Sequence, residues 1–329
     1  MKFEKKYSQL NKIKNAIGVS SGLDALIICL RALKIGKDDE VIVASNAYIA
    51  CWLAISNVGA KIIPVEPNEK TFNIDASKIE KKITKKTKAI MPVHLYGQPC
   101  QMDEIMKIAN KNNLYVIEDN AQAHLSKFNN QYTGTFGNIN ATSFYPTKNL
   151  GAMGEAGCVT TNDVYLGEFS KAYRNYGYTK KYECKIIGRN FRIDEIQASI
   201  LNVKIKYLKK LNQERIFLAK IYDENLNSVL NIKIPYKDPN CVHVYHLYVI
   251  RTNRRDELKK YLYDNGIETS IHYPIPPHLQ LAYKYLGYKK GDFPIAEEIS
   301  ETSLSLPLYP GLKKKDILFI CKKILIFFN

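Results

Sequence analysis

Between residues 24 and 119 short apolar runs alternate repeatedly with stretches of helical periodicity, and few architectures accept that alternation. Residues 24–33 carry apolar side chains at helical spacing, and Asp39-Glu40-Val41-Ile42-Val43-Ala44 then reads as a short buried strand. The strand pattern returns at 61–65, 89–93 and 115–117, with helix-like stretches such as 51–58 and 102–110 in between. Strands alternating with helices imply a mostly parallel sheet covered on both faces, with ligands gathering beyond the C-terminal strand ends. Asn46, Glu66, His94 and Asp119 all lie just past such ends.

After Lys204 the pattern changes. A long charged helix is expected over about 196–225, followed by a half-buried strand in which Val242, Tyr245, Leu247 and Val249 carry the apolar pattern. The organisation expected is therefore α/β: a large domain over residues 1–210, its sheet between helices, and a smaller C-terminal α+β domain over residues 211–329. A length of 329 residues with 46% hydrophobic content suits one large and one smaller unit. The proline-rich stretch 272–278 must be an extended loop.

The N-terminus, Met1-Lys2-Phe3-Glu4-Lys5-Lys6, is charged where a signal peptide is apolar, and no apolar run is long enough to span a membrane. Seven scattered cysteines, none in a Cys-x-x-Cys pair, fit neither a disulfide framework nor a zinc site. His94, His246 and His278 form no metal set with convincing spacing. A cytoplasmic enzyme without metal or membrane partner is the expectation. The formal charge of +16 invites a nucleic-acid reading, but the lysines are spread through every segment and no nucleic-acid module accompanies them. A solvated surface, with some bias toward acidic small molecules such as nucleotide sugars, accounts for the charge.

Lys148, in Thr142-Ser143-Phe144-Tyr145-Pro146-Thr147-Lys148-Asn149-Leu150-Gly151-Ala152, is the main chemical candidate. An amine on a structured turn can form a Schiff base with pyridoxal 5'-phosphate, a cofactor that also needs an acid beside its ring nitrogen, a phosphate cradle and a flat ring partner. Asp119 ends a strand and supplies the acid; its bland reading is a turn or helix-capping aspartate. Glu118 competes, but adjacent strand residues face opposite ways, so only one of the two can serve. The amides of Leu23 and Asp24 open a helix, where unpaired N–H groups and the helix dipole favour an anion, although helix capping explains the same residues.

These motifs resemble the DegT/DnrJ/EryC1/StrS sugar aminotransferases. The resemblance rests on Gly22-Leu23-Asp24-Ala25-Leu26, Val93-His94-Leu95-Tyr96-Gly97, Glu118-Asp119-Asn120-Ala121-Gln122, Ser143 through Gly151, and Gly188-Arg189-Asn190-Phe191-Arg192-Ile193-Asp194-Glu195-Ile196-Gln197-Ala198, in that order along nearly the whole chain. It implies the aspartate-aminotransferase-like fold (fold type I), with Lys148 as Schiff-base lysine and proton shuttle and Asp119 as the acid. Gln122 is implied beside the cofactor, Ser143 at its phosphate and Tyr48 stacked on its ring. Asn190 is implied to reach the phosphate from the other subunit of a homodimer with sites at the interface. Related dehydratases carry histidine in place of the lysine, so Lys148 favours amine transfer.

The stretches 175–182, 65–67 and 271–278 are similar to the subgroup that aminates C3 of dTDP-linked 3-keto-6-deoxyhexoses, with L-glutamate as donor and a surface glycan such as lipopolysaccharide as destination. Lys181, Tyr182, His272 and Tyr273 are the expected substrate contacts, and structural roles suit each of them equally. The alternatives are a 4-keto-sugar nucleotide aminotransferase and a truncated, non-catalytic homologue. Family members carry a further segment before the Phe3-Glu4 motif, including a glycine-containing loop near the neighbouring subunit's site, so a shortened chain or a differently built site edge is expected.

Overall fold

The computed structural model describes residues 2–329. Its centre is a seven-stranded sheet, ordered in space Asn15–Val19, Gly157–Thr161, Ile139–Ser143, Tyr115–Asp119, Thr87–Met91, Glu40–Ala44, Lys61–Val65. Strand Glu40–Ala44 pairs in parallel with Lys61–Val65 and Thr87–Met91, and the parallel run continues through Tyr115–Asp119 to Ile139–Ser143. Gly157–Thr161 runs antiparallel to both of its neighbours. Every residue of Glu40–Ala44 is buried, as a strand rich in valine and isoleucine and paired on both edges should be.

Helix Gly22–Ala32 packs against helix Ile49–Asn57 and the strand Ile139–Ser143, which is why it buries seven of its eleven residues. Ser21 caps it by accepting the Asp24 amide hydrogen at 3.0 Å.

Three expected elements differ in detail. The strand expected over 89–93 runs over Thr87–Met91, two residues earlier, with Pro92 and Val93 beyond its end. The long helix is two helices, Glu195–Lys204 and Leu208–Leu226, joined by a 3-10 turn at Ile205–Tyr207. The strand expected over 242–249 is a two-residue pairing, Cys241–Val242 against Lys127–Phe128, followed by an irregular stretch and then the strand Tyr248–Arg251. Tyr245 has a positive φ of 45°, a conformation that no continuous strand accepts.

A second buried cluster lies in the C-terminal part. Leu218 and Tyr222 of helix Leu208–Leu226 pack there with Tyr248 and Ile250, with Leu258 and Leu262 of helix Arg255–Asp264, and with Ile317 and Ile324 of helix Lys314–Phe328. Leu208, at the start of the first of these helices, belongs instead to the cluster around Phe3, Tyr7 and Phe144. Glu66, just past the strand Lys61–Val65, accepts the amide hydrogens of Ile295 and Ala296 at 2.8 and 3.1 Å. A carboxylate from the sheet thus stabilises the N-terminus of helix Pro294–Thr302, where the unpaired amides and the positive dipole end lie.

Candidate active site

The strand Tyr115–Asp119 separates its two final carboxylates. Glu118 is fully buried, where it accepts the amide hydrogens of Gly134, Phe136 and Gly137 at 2.6–2.8 Å. His94 accepts the Cys100 amide hydrogen on Nδ1, so its Nε2–H donates to Glu118, at 2.8 Å. Glu118 is structural, with all its capacity taken up. Asp119 faces the other way: Oδ1 accepts the Ala121 amide hydrogen at 3.0 Å and Oδ2 accepts the Cys51 thiol hydrogen at 3.0 Å. Burial and the Asp119 charge push the Cys51 thiol far above its ordinary pKa, so it stays a donor.

Lys148 lies within electrostatic reach of Asp119 and Cys51. Its ammonium has no hydrogen bond or ion pair among the described residues. Burial pushes its pKa down, and the Asp119 charge opposes that shift without cancelling it. An amine that sheds its proton more readily is a better nucleophile and proton acceptor.

Three histidines lie within electrostatic reach of this amine. His124 stacks on Phe144 with ring centroids 5.5 Å apart and accepts the Leu150 amide hydrogen on Nδ1 at 3.1 Å, leaving its buried Nε2–H without a partner. Burial, with the Lys148 charge adding to it, holds His124 down at about 3. His246 is pushed well below its ordinary value by burial and then by Lys148, and its buried Nδ1 is also unpartnered. His272, lowered by the same two causes, bonds Ser305 Oγ through Nδ1 at 2.8 Å. His124 and His246 are therefore neutral near pH 7.

Tyr48 and Tyr273 form an aromatic wall, with centroids 5.0 Å apart and Tyr48 42% exposed. Gln122 accepts the Tyr96 amide hydrogen on Oε1 at 2.7 Å and donates from Nε2 to the Tyr273 hydroxyl at 3.2 Å. At the helix start, a Cβ on Gly22 would lie 2.6 Å from Ser143 Cβ, so the first turn and the end of strand Ile139–Ser143 meet more closely than any side chain at position 22 would allow. The amides of Gly22 and Leu23 have no hydrogen-bond partner among the described residues, whereas the Asp24 amide is taken by Ser21. The Asp24 carboxylate accepts from the Ser20 and Ser21 hydroxyls at 2.6 and 2.8 Å, and Ser143 Oγ accepts the Tyr145 amide hydrogen at 3.2 Å.

Lys148, Asp119, Gln122, Tyr48, His272 and Tyr273 thus come together. Lys181, Tyr182 and Asn190 do not join them through any hydrogen bond or ring contact. All three are exposed, with the Lys181 ammonium over the Tyr182 ring at 5.3 Å and Asn190 bridged to Asn175 by backbone alone. Cys51, Tyr96, His124 and His246 were not among the sequence candidates. Tyr96 and His124 lie inside or beside the motifs and could have been found there, but nothing local marks Cys51 or His246.

The site fits pyridoxal phosphate: an unpartnered half-buried amine beside a carboxylate, an aromatic wall, and free amides where a glycine lets a helix start meet a serine. The profile of the DegT/DnrJ/EryC1/StrS aminotransferase family matches residues 1–325, and the chain belongs to this family. It is a pyridoxal-phosphate-dependent sugar aminotransferase. The dTDP-3-amino-3,6-dideoxy-alpha-D-galactopyranose transaminase of Aneurinibacillus thermoaerophilus is 48% identical over 315 residues, 96% of this chain and 86% of that one. The X-ray structure of DesV from Streptomyces venezuelae in complex with a ketimine intermediate superposes with a TM-score of 0.97 at 41% identity, covering 99% of this chain and 88% of that one. NtdA from Bacillus subtilis, solved with bound cofactor PMP, gives 0.87 at 34% identity over 97% and 76%.

Proposed function

We propose that this enzyme moves an amino group from L-glutamate to C3 of a dTDP-linked 3-keto-6-deoxyhexose, as a homodimer whose product feeds a surface glycan. The observation that carries the reading is the Lys148 amine, unpartnered and lowered in pKa, beside the Asp119 carboxylate and facing no competing ion pair. The activity for which the Aneurinibacillus relative is named supports the choice of C3 and of a dTDP sugar.

When bound, pyridoxal phosphate supplies an electron sink and a carrier for the amino group. Lys148 Nζ takes a proton from the donor's α-carbon in one half of the cycle and returns one to the sugar carbon in the other. The Asp119 carboxylate would keep the ring nitrogen of the bound cofactor protonated. Gly22 and Leu23 offer amide hydrogens, and Ser143 a hydroxyl, to the phosphate, while the Tyr48–Tyr273 wall excludes water from one side. Neutral His124 and His246 raise no positive charge against the amine. Asn190, with Lys181 and Tyr182 on the turn that joins the antiparallel strands Tyr178–Lys180 and Glu183–Cys184 before it, is free to serve the neighbouring subunit. We place the division between the two domains near Leu211, on helix Leu208–Leu226, between the residues of its two core clusters.

The test supplies glutamate and, in turn, both 3-keto epimers and a 4-keto sugar nucleotide. Turnover restricted to a 3-keto substrate is expected, and turnover restricted to the 4-keto sugar overturns the assignment. Borohydride reduction should leave the cofactor on Lys148, and Lys148→Ala should be inactive; an adduct found elsewhere by mass spectrometry removes Lys148 from its role.

A further inference from the structure

Tyr96 belongs to a motif without an assigned chemical part, and its contacts close a circuit. Its amide hydrogen goes to Gln122 Oε1, at 2.7 Å. Gln122 Nε2 donates to the Tyr273 hydroxyl, at 3.2 Å. Tyr273 follows His272 in the chain, and the His272 carbonyl accepts the Tyr96 hydroxyl hydrogen. The ring therefore runs from Tyr96 through Gln122, Tyr273 and His272 back to Tyr96, joining the loop after strand Thr87–Met91, the turn after strand Tyr115–Asp119, and the 272–278 loop from the C-terminal part.

The direction of each link is determined. Tyr96 is buried with φ at 57°, a left-handed conformation uncommon for a tyrosine. That conformation is supported on both sides. Its amide meets Gln122, its carbonyl accepts the Leu247 amide hydrogen at 3.4 Å, and the next residue, Gly97, has no room for a Cβ, which would stand 2.9 Å from the His246 amide nitrogen and 3.1 Å from the Gln122 carbonyl oxygen. A backbone amide can only donate, so the Gln122 oxygen must face Tyr96 and its nitrogen must face Tyr273. The Tyr273 oxygen accepts there, which leaves its own hydrogen unspent. Burial pushes the Tyr273 hydroxyl pKa up, so it keeps that hydrogen.

We infer that Tyr96 is a positioning residue that orients Gln122 and anchors the 272–273 loop, making the Tyr273 hydroxyl an obligate hydrogen-bond donor to an oxygen of the keto-sugar substrate. The inference rests on the aminotransferase reading of this site for the identity of that oxygen, and on the ring alone for the anchoring. A second hydroxyl in the same place but free to rotate would accept or donate with equal ease. The ring removes the choice and selects substrates that present an acceptor.

Two measurements separate the parts. Amide hydrogen exchange on the cofactor-free protein reads the anchor at the bonded amides that flank the loop, Ser270 to the Ser305 carbonyl and Leu279 and Gln280 to the Pro276 and Pro277 carbonyls: Tyr96→Phe loses the link to the His272 carbonyl, and exchange at these amides should quicken roughly fivefold, the value of one ordinary hydrogen bond, with helix Gly22–Ala32 unchanged. Unchanged exchange at these amides overturns the anchoring, and equal quickening everywhere shows a merely structural role. Steady-state kinetics on the holoenzyme reads the donor: Tyr273→Phe and Tyr96→Phe should each raise KM for the keto-sugar nucleotide, by about tenfold and about threefold, with kcat less affected. The double variant should match Tyr273→Phe alone, because Tyr96 acts through Tyr273; additive effects overturn the inference. Should Tyr96→Phe fail to fold, Gln122→Leu breaks the same ring from the other side and must show the same non-additivity with Tyr273→Phe. A wild-type enzyme inactive on every keto sugar refutes the functional reading while leaving the exchange result to judge the ring.

Discussion

Two neighbouring carboxylates and one lysine show how strand geometry divides labour among residues. Glu118 and Asp119 differ by one position, and the alternation of a strand sends them to opposite environments. Glu118→Gln would turn an NH2 group toward backbone donors, with a stability loss of about 3 kcal/mol in urea unfolding and little change in the pH profile of turnover. Asp119→Asn should fold normally but lower turnover by about a hundredfold or more, near 1.4 kcal/mol of barrier per factor of ten; the reverse pattern would exchange their roles. Lys148 carries a pH signature of its own. Because burial lowers its pKa in the folded chain, the folded state disfavours the charged amine, and that cost is full below the folded pKa and gone above the unfolded value of about 10.4. Unfolding of the cofactor-free protein should therefore show wild type gaining stability relative to Lys148→Met as pH rises from neutrality toward that value. A difference independent of pH would mean that the amine is as well accommodated as an exposed one.

At the scale of elements, the phosphate cradle depends on how closely a helix start approaches a strand end. Gly22→Ala places a Cβ 2.6 Å from Ser143 Cβ, and the two elements must part. The expected results are a stability loss of about 1–3 kcal/mol and a weakening of pyridoxal phosphate binding by about tenfold or more, measured by titrating the cofactor-free protein; unchanged affinity would put the phosphate elsewhere. The strands between 40 and 119 were legible because each contains an uninterrupted run of at least three apolar residues, and a buried parallel strand has no polar face to confuse that run. The break at Ile205–Tyr207 was not, because a 3-10 turn of three helix-compatible residues hardly disturbs the apolar period. Residues 242–249 mimicked a strand because Val242 and Val249 belong to two different pairings separated by a turn through Tyr245. The members of the Tyr96 ring all lie in singled-out stretches, but their pairing had no local signal, since each link spans more than 20 residues of chain except the peptide between His272 and Tyr273.

For the whole molecule, the exposed position of Asn190 sets the decisive assembly experiment. If it serves the partner's phosphate, Lys148→Ala and Asn190→Ala subunits, each inactive as its own dimer, should recover part of the activity after subunit exchange, because one of the two mixed sites then carries neither lesion. Absence of rescue after confirmed exchange would assign Asn190 to its own chain. The single reversed strand of the sheet carries a different consequence. Lys148 rides on the return between Ile139–Ser143 and Gly157–Thr161, and that return is closed on itself by Phe144 with Ala156 and by Ala152 with Phe144, each at 2.7 Å. The reach of the amine is consequently a fixed length of tether. One inserted residue cannot be absorbed by slipping either strand, since a slip of one turns every side chain to the other face. A library of single-residue insertions along the chain should be as barren over 144–156 as in the buried strands, although this stretch is a loop, while insertions around Gly287 and Gly291, which have open space about them, survive.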